Sequence, residues 1–223
     1  MNWMISRWFI KINFAGLLLA VVVVGCSTKV KERTSRVAHL PFYDEATFTP
    51  KWIDPVDITD EFHHIPAFSL FNQDGEQITE RRLNDKITVV DFFFTVCPGI
   101  CPKMTNNMLI VQEAFKSEDD VQIFSHSVTP DYDSVSVLKE YAHLKGIENG
   151  KWQLLTGDRD MIYDLGRNQY FIEENLGLQK APEDFIHTEN FLLIDQERRI
   201  RGIYNGLNKT AIQQLIADAK ALL

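Results

Sequence analysis

The chain of 223 residues lacks internal repeats, low-complexity tracts and, downstream of its N-terminal segment, any cluster of Lys and Arg. A phosphate-binding surface needs clustered cations, and the formal net charge here is -8, so the sequence argues against nucleic acid as a partner. The length, with 45% hydrophobic residues, suits one well-buried domain and an N-terminal extension rather than two domains.

The N-terminus also lacks an uncharged apolar run of the ~20 residues that a spanning helix needs. An apolar run over residues 14–24 follows two basic residues and ends at Gly25-Cys26. This pattern resembles the bacterial lipoprotein signal and predicts a signal peptide over residues 1–25, with lipid attached to Cys26. An uncleaved anchor is the alternative, since residues 8–10 lengthen the apolar region. Either interpretation places the domain in the cell envelope, facing the extracytoplasmic, periplasmic side of a membrane.

Residues 26–61 are predicted to be a lipid-anchored tether. The segment begins with several basic residues and is then interrupted by three prolines, a composition that can hold a domain away from a membrane. Residues 62–223 are predicted to form the folded domain, because regular apolar patterns begin at Ile65.

The apolar periodicity predicts an α/β domain. A hairpin turn at Asn72–Gly75 comes first, and the nearly continuous apolar run from Ile87 to Phe94 is typical of a strand buried on both faces. The later predicted elements are a helix up to Lys116, a strand at 121–128, a helix at 135–142, a strand at 152–155, a helix at 158–170 capped by Asp158, a hairpin at 191–204 and a last helix from about 208. This order indicates a thioredoxin-like fold, a mixed sheet sandwiched by helices with an N-terminal hairpin extension.

Cys97 and Cys101 lie at the predicted junction between the central strand and the next helix. Free N–H groups and the positive end of the helix dipole favour thiolate at such a junction. The pair is therefore the candidate functional centre, although two small apolar residues one turn apart would have the same spacing. An oxidising compartment would close the pair into a disulfide unless a partner kept it reduced or a metal occupied it.

The segment Phe94-Thr95-Val96-Cys97-Pro98-Gly99-Ile100-Cys101-Pro102 resembles the F-T-x-C-P-x-x-C-P signature of the SCO/SenC family of copper proteins. Three further segments resemble that family: Ser127–Ser134, Leu155-Thr156-Gly157 and Phe185-Ile186-His187-Thr188. The resemblance covers roughly residues 62–222. Two departures are Thr129 and Ile186, which stand where the family usually has acidic residues.

The resemblance implies a metallochaperone that assists assembly of the copper site of a respiratory cytochrome oxidase. The implied metal ligands are Cys97, Cys101 and His187, and two thiolates with one imidazole suit Cu(I) or Cu(II). The implied partners are the copper-site subunit of the oxidase, an unidentified copper donor or thiol reductant, and the membrane. Asp133 is predicted to cap a helix, with a possible role near the site.

Other soft or nitrogen donors are predicted to be structural. Met104 and Met108 are one helical turn apart and are expected in the core. The remaining histidines are interpreted as a tether residue, a solvated turn, a strand residue and a helix-surface residue; they are His39, His63-His64, His126 and His143.

The main competing function is a membrane-anchored thiol-disulfide oxidoreductase that reduces client cysteines, with Cys97 as nucleophile and Cys101 as resolving thiol. Three residues separate the cysteines here, whereas thioredoxin-type reductases have two, so enzymatic activity is left open. A peroxiredoxin is disfavoured because Thr95 is one residue closer to the cysteine than in T-x-x-C. An inert structural disulfide is the remaining alternative.

Overall fold

The computed structural model of this chain describes residues 34–59, 61–174 and 184–223. The predicted signal peptide and Cys26 lie outside these ranges, so lipidation stays a prediction. Within the described ranges, no helix is both long and apolar enough to cross a membrane.

The strands form where the sequence is rich in β-branched and aromatic residues. Gly75 turns the first hairpin with φ of +79°, a left-handed conformation that glycine adopts without strain. The elements are β1 (Ser69–Phe71), β2 (Gln77–Thr79), β3 (Ile87–Phe93), α1 (Cys101–Ala114), β4 (Val121–Ser127), α2 (Val135–Lys145), β5 (Trp152–Leu155), α3 (Arg159–Asp164), a π-helix (Leu165–Gln169), β6 (Asn190–Ile194), β7 (Ile200–Asn205) and α4 (Lys209–Lys220), with 3-10 turns at Pro55–Asp57 and Glu80–Leu83.

Five strands form one mixed sheet in the order β5-β4-β3-β6-β7. The central strand β3 pairs parallel with β4 and antiparallel with β6, and all seven of its residues are buried. The predicted thioredoxin-like fold is confirmed, with β1 and β2 as a separate hairpin.

The sheet carries a hydrophobic core on each face. The core on what we call the cysteine face includes residues of α1, α2 and α4, among them Met104 and Met108, which are buried as predicted. The core on the opposite face, which we call the histidine face, includes residues of α3 and the β1-β2 hairpin together with Tyr170, Ile172 and Ile186.

The predicted tether is not free of the domain over its whole length. Leu40 and Phe42 are buried, and Tyr43 forms a backbone bridge with Ile200 at the start of β7. Arg201 donates to the backbone oxygens of Leu40 (2.7 Å) and Pro41 (3.1 Å), and its guanidinium lies 3.8 Å from the ring centroid of Phe42. The prediction of a tether over 26–61 is therefore wrong for this stretch, because its apolar and aromatic residues cover the sheet edge.

The helix predicted over residues 158–170 is interrupted. Asp158 caps α3 as predicted, since its Oδ1 accepts the Met161 N–H at 2.8 Å. After Asp164 the chain continues as the π-helix, and Tyr170, which follows it, is fully buried in the core of the histidine face.

Candidate functional site

The loop between β3 and α1 places Cys97 at the N-terminus of α1. The helix begins at Cys101, so Cys97 lies in the preceding turn rather than in the helix itself. Ile100, at the N-cap position, provides no side-chain hydrogen bond to the helix. The Cys97 sulfur instead interacts with backbone groups of Gly99, Ile100 and Cys101. The Cys97 sulfur thus interacts with the free backbone groups at the start of α1, as a polar N-cap side chain does in other helices.

These contacts favour the thiolate of Cys97. Partial burial raises the pKa of Cys97, but hydrogen bonds from the Cys101 side chain and from the backbone of Cys101, Gly99 and Ile100 outweigh it, so the pKa is lower than for an ordinary thiol. Cys97 is only partly buried, so a partner can reach its sulfur. A low pKa with solvent access is what a nucleophilic or metal-binding sulfur requires.

Cys101 has the opposite character. It is 5% exposed, and burial together with the hydrogen bond to Cys97 raises its pKa to about 12. Charge repulsion from Cys97 and Asp91 acts in the same direction, against a backbone hydrogen bond with Phe94. Both cysteines are free thiols in the structure. The pair therefore combines one partly exposed, ionisable sulfur with one buried sulfur that keeps its proton.

The loop between β3 and α1, residues 94–100, is called the cysteine loop below. It is hydrogen-bonded to the carboxylate of Asp133, which is fully buried. Thr95 donates to it twice, from its backbone N–H (3.2 Å) and its hydroxyl (2.5 Å). Ser127, at the end of β4, and Thr129 donate through their hydroxyls at 2.5 Å and 3.0 Å. A carboxylate that accepts this many hydrogen bonds fixes its donors in one arrangement.

The predicted capping role of Asp133 is wrong. The N-cap of α2 is Ser134, whose hydroxyl accepts the Val137 N–H at 3.4 Å. Asp133 instead joins the β4-α2 loop to the cysteine loop, which supports the predicted place near the site.

A second buried carboxyl lies under the same loop. Asp91 of β3 is 3% exposed and accepts a hydrogen bond from the Ser125 hydroxyl, which also accepts from Trp152 Nε1 at 2.8 Å. Burial raises the pKa of Asp91 to about 7, although the bond from Ser125 lowers it. Asp91 is a functional residue that the motifs above do not include, although a lone carboxyl within an apolar strand is a sequence signal of a buried polar group.

His187 stands on the loop before β6, as predicted, and is exposed. Its ring lies 4.9 Å from the ring of Phe185, which in turn packs edge-on against Phe94 at 5.2 Å. Phe94 is three residues before Cys97, so one aromatic ring separates His187 from the cysteine loop. Within the described part of the chain, no three His, Cys, Asp or Glu side chains are grouped closely enough to hold a metal ion. The structure thus brings the two cysteines together and leaves His187 beside them.

The other histidines lie away from the thiols. His126 is a buried strand residue and His143 an exposed helix residue, both as predicted. His63 departs from the prediction of a solvated turn: it is half-buried, its Nε2 lies 2.7 Å from the Gln169 carbonyl oxygen, and its ring packs on Phe171.

Comparison with known proteins repeatedly identifies one family. The family model for SCO1/SenC matches residues 56–223. A SCO1/SenC family lipoprotein from Bacillus anthracis has a crystal structure with a TM-score of 0.63 and 34% identity, covering 72% of this chain and 95% of that protein.

Two further solved structures carry functional descriptions. BsSco, described as having a disulfide switch and as a member of the Sco family of cytochrome c oxidase assembly proteins, aligns with a TM-score of 0.62 and 30% identity over 72% of this chain and 93% of its own. ScoI from Bradyrhizobium japonicum, solved with copper bound, aligns with a TM-score of 0.57 and 26% identity over 71% of this chain and 98% of its own.

Proposed function

Because this chain belongs to the SCO1/SenC family, we propose that it is a copper metallochaperone that helps to assemble the copper site of a respiratory cytochrome oxidase. Its cargo is one copper ion bound by Cys97, Cys101 and His187. The observation that carries this proposal is the thiol pair at the start of α1, with one sulfur partly exposed and ionisable and the other buried beside it. Copper bound to ScoI and the oxidase-assembly role of the Sco family support the same function.

The donor set explains why copper suits this site. Thiolates are soft ligands that select Cu(I), and an added imidazole extends the set to Cu(II). Cys101 holds its proton when no metal is bound, so copper binding releases a proton and strengthens as the pH rises.

The separate position of His187 suits transfer of the metal. The Cys97 sulfur comes from the loop that is hydrogen-bonded to Asp133 and the Cys101 sulfur from the first residue of α1, whereas the imidazole comes from another loop and is exposed. A ligand that can leave while two others stay allows a partner's ligand to take its place. Release to the copper-site subunit of the oxidase would then proceed by ligand exchange.

An anaerobic copper titration of the reduced full chain in detergent tests the metal site. We expect one copper per chain, and loss of binding in Cys97→Ala and in Cys101→Ala. His187→Ala should weaken Cu(II) binding more than Cu(I) binding, because two thiolates alone can hold Cu(I). His143→Ala, which alters an exposed histidine on α2, is the matched control. Equal weakening for both ions would show that His187 has only a structural role.

A thiol-disulfide oxidoreductase is the second candidate, and the opposite pKa shifts of the two cysteines favour it. The Cys97 thiolate would attack a client disulfide, forming a mixed disulfide and releasing one client sulfur as a thiolate. The Cys101 sulfur would then attack Cys97 and release the second client sulfur, while the Cys101 proton passes to a departing client thiolate. The products would be a reduced client and a Cys97–Cys101 disulfide, which an external thiol reductant must reduce again. In a deletion strain grown at limiting copper, low copper content of the oxidase supports the chaperone, and normal copper content supports the reductase.

We also propose that Cys26 carries a lipid that holds the domain at the extracytoplasmic side of a membrane. The short apolar run before Cys26 supports this, and so does the lipoprotein from Bacillus anthracis. Labelled palmitate should be incorporated by the wild type and not by Cys26→Ser. Equal labelling of both proteins, or a mature mass that includes residues 1–25, would contradict lipidation at this residue.

A further inference from the structure

The loop that carries His187 is attached to the domain through Arg167 of the π-helix. The Arg167 guanidinium donates to the backbone oxygen of Asp184, and its Nε lies 3.5 Å from Oε2 of Glu173. Glu173 precedes the stretch at 175–183 and Asp184 follows it. One side chain therefore contacts a residue on each side of positions 175–183.

Glu173 continues the connection to His187 itself. Its second oxygen, Oε1, accepts the backbone N–H of His187 at 3.3 Å. The side chains of Arg167 and Glu173 are only 17% and 8% exposed, so their attraction is less screened than that of a surface ion pair. The residue before His187, Ile186, is apolar, and Glu173 places a carboxylate next to the His187 backbone.

The residues after His187 are fixed to the same stretch. Thr188 donates its hydroxyl to the carbonyl oxygen of Ile172 at 2.8 Å, and the side-chain amide of Asn190 donates to the same oxygen at 3.1 Å. The His187 backbone is thus fixed at its own N–H and at the residue that follows, while its imidazole remains exposed.

We propose that Glu173, held by Arg167, is a positioning residue for His187. It fixes the backbone from which the imidazole projects, so that Cu(II) binding does not have to order this loop. The inference rests on the copper function proposed above. Residues that orient a metal ligand typically contribute about 10- to 100-fold to metal affinity, whereas an unordered ligand loses affinity through the cost of ordering it.

The experiment compares Glu173→Ala with Glu174→Ala, which removes the exposed neighbouring carboxylate. In the reduced, metal-free protein, NMR should show the His187 amide exchanging at least about 10-fold faster in Glu173→Ala and unchanged in Glu174→Ala, since only Glu173 bonds that amide. The Kd for Cu(II) should rise about 10-fold in Glu173→Ala, and the Kd for Cu(I) should change less than about 2-fold, because the thiolates hold Cu(I). Glu173→Gln keeps an oxygen acceptor without the charge, so it should be intermediate in both measurements.

The outcomes separate this inference from the copper function. Equal His187 exchange rates in the two alanine variants, or equal Cu(II) affinities in Glu173→Ala and the wild type, would overturn the positioning role and leave the copper function intact. A wild-type chain that binds neither copper ion would overturn the copper function. Parallel weakening of Cu(I) and Cu(II) in Glu173→Ala would show a general loss of structure and also overturn the positioning role.

Discussion

The two faces of the central sheet carry different buried polar groups, although the same two strands supply both. On the cysteine face, Asp91 of β3 and Ser125 of β4 are bonded to each other. On the histidine face, the neighbouring pair is Phe92 and His126, whose rings are stacked at 4.8 Å. Both ring nitrogens of His126 lack a hydrogen-bond partner among the described residues. The hydroxyl of the adjacent Tyr170 also lacks one there.

This difference extends to the loops at the carboxyl end of β3. The cysteine loop rests on a network in which the Asp133 carboxylate accepts four hydrogen bonds, so the loop that carries Cys97 is held in one arrangement. The His187 loop rests on apolar and aromatic contacts and on the pair formed by Arg167 and Glu173. A pre-formed thiol pair beside a separately held imidazole fits the proposed capture and release of copper.

The largest effect is expected from Asp133→Ala, which breaks the network under the cysteine loop. Three hydroxyl groups and one backbone N–H would lose their acceptor, and we expect the free energy of unfolding to fall by about 3 kcal/mol in urea titrations. Glu173→Ala, under the other loop, should cost about 1 kcal/mol or less, because fewer groups depend on it. Equal losses would remove the distinction between the two loops. Asp131→Ala, an exposed neighbour, is the control and should change stability by less than about 0.5 kcal/mol.

A pH titration of His126→Phe sharpens the comparison on the histidine face. Burial lowers the pKa of His126 to about 3, against a weaker interaction with the backbone of Asp91, while the unfolded chain takes up its proton near pH 6.5. The unfolded state binds more protons between these values, so the wild type loses stability as the pH falls from 6.5 towards 3. His126→Phe should remove about 2 kcal/mol of this loss between pH 6.5 and pH 5. Parallel stability curves for the two proteins would show that His126 is not kept neutral by burial.

Asp91→Asn should show the opposite pH dependence on the cysteine face. The folded pKa of about 7 lies above the ordinary aspartate value of 3.8, so the folded state holds the proton longer and the wild type loses stability as the pH rises through this range. Relative to wild type, Asp91→Asn should gain about 2 kcal/mol between pH 5 and pH 7, measured by urea unfolding. The exposed Asp119→Asn is the control. If Asp91→Asn instead gains stability relative to wild type as the pH falls, the fold stabilises the Asp91 carboxylate rather than the protonated acid.

The contributions of His126 and Asp91 oppose each other between about pH 4 and 6.5. The wild-type curve should therefore be flatter in this range than either variant's curve. Only the single variants would reveal the separate contributions of these two buried groups to the pH dependence of stability.

Local patterns predicted the elements that position the thiols. The apolar run of β3 and the cap at Asp158 depend on residues close in sequence, and both are confirmed. Asp133 could not be assigned in this way, because Asp and Ser are equally good caps and the donor that decides between them, Thr95, is 38 residues away. The same holds for Tyr43, whose bridge to Ile200 depends on the edge of the assembled sheet.

The candidate site also combines features that local sequence patterns predict with features that depend on the folded chain. The spacing of Cys97 and Cys101 identified the thiol pair, but their opposite pKa shifts depend on the burial of Cys101 and on the hydrogen bonds made by Cys97, which no sequence spacing reveals. Glu173 lies 14 residues before His187 and follows no periodicity, so its bond to the His187 N–H could be found only in the folded chain.

The smallest predicted effect compares one hydroxyl on each face. Tyr170→Phe removes a buried hydroxyl that has no hydrogen-bond partner among the described residues, so the cost of burying that group disappears and the protein should gain about 1 kcal/mol. Ser125→Ala removes a hydroxyl that serves both Asp91 and Trp152, so the protein should lose about 2 kcal/mol. Urea unfolding near pH 7 measures both, and the opposite signs are the test. A loss of stability in Tyr170→Phe would mean that its hydroxyl is satisfied, and the polar contrast between the faces would then rest on His126 alone.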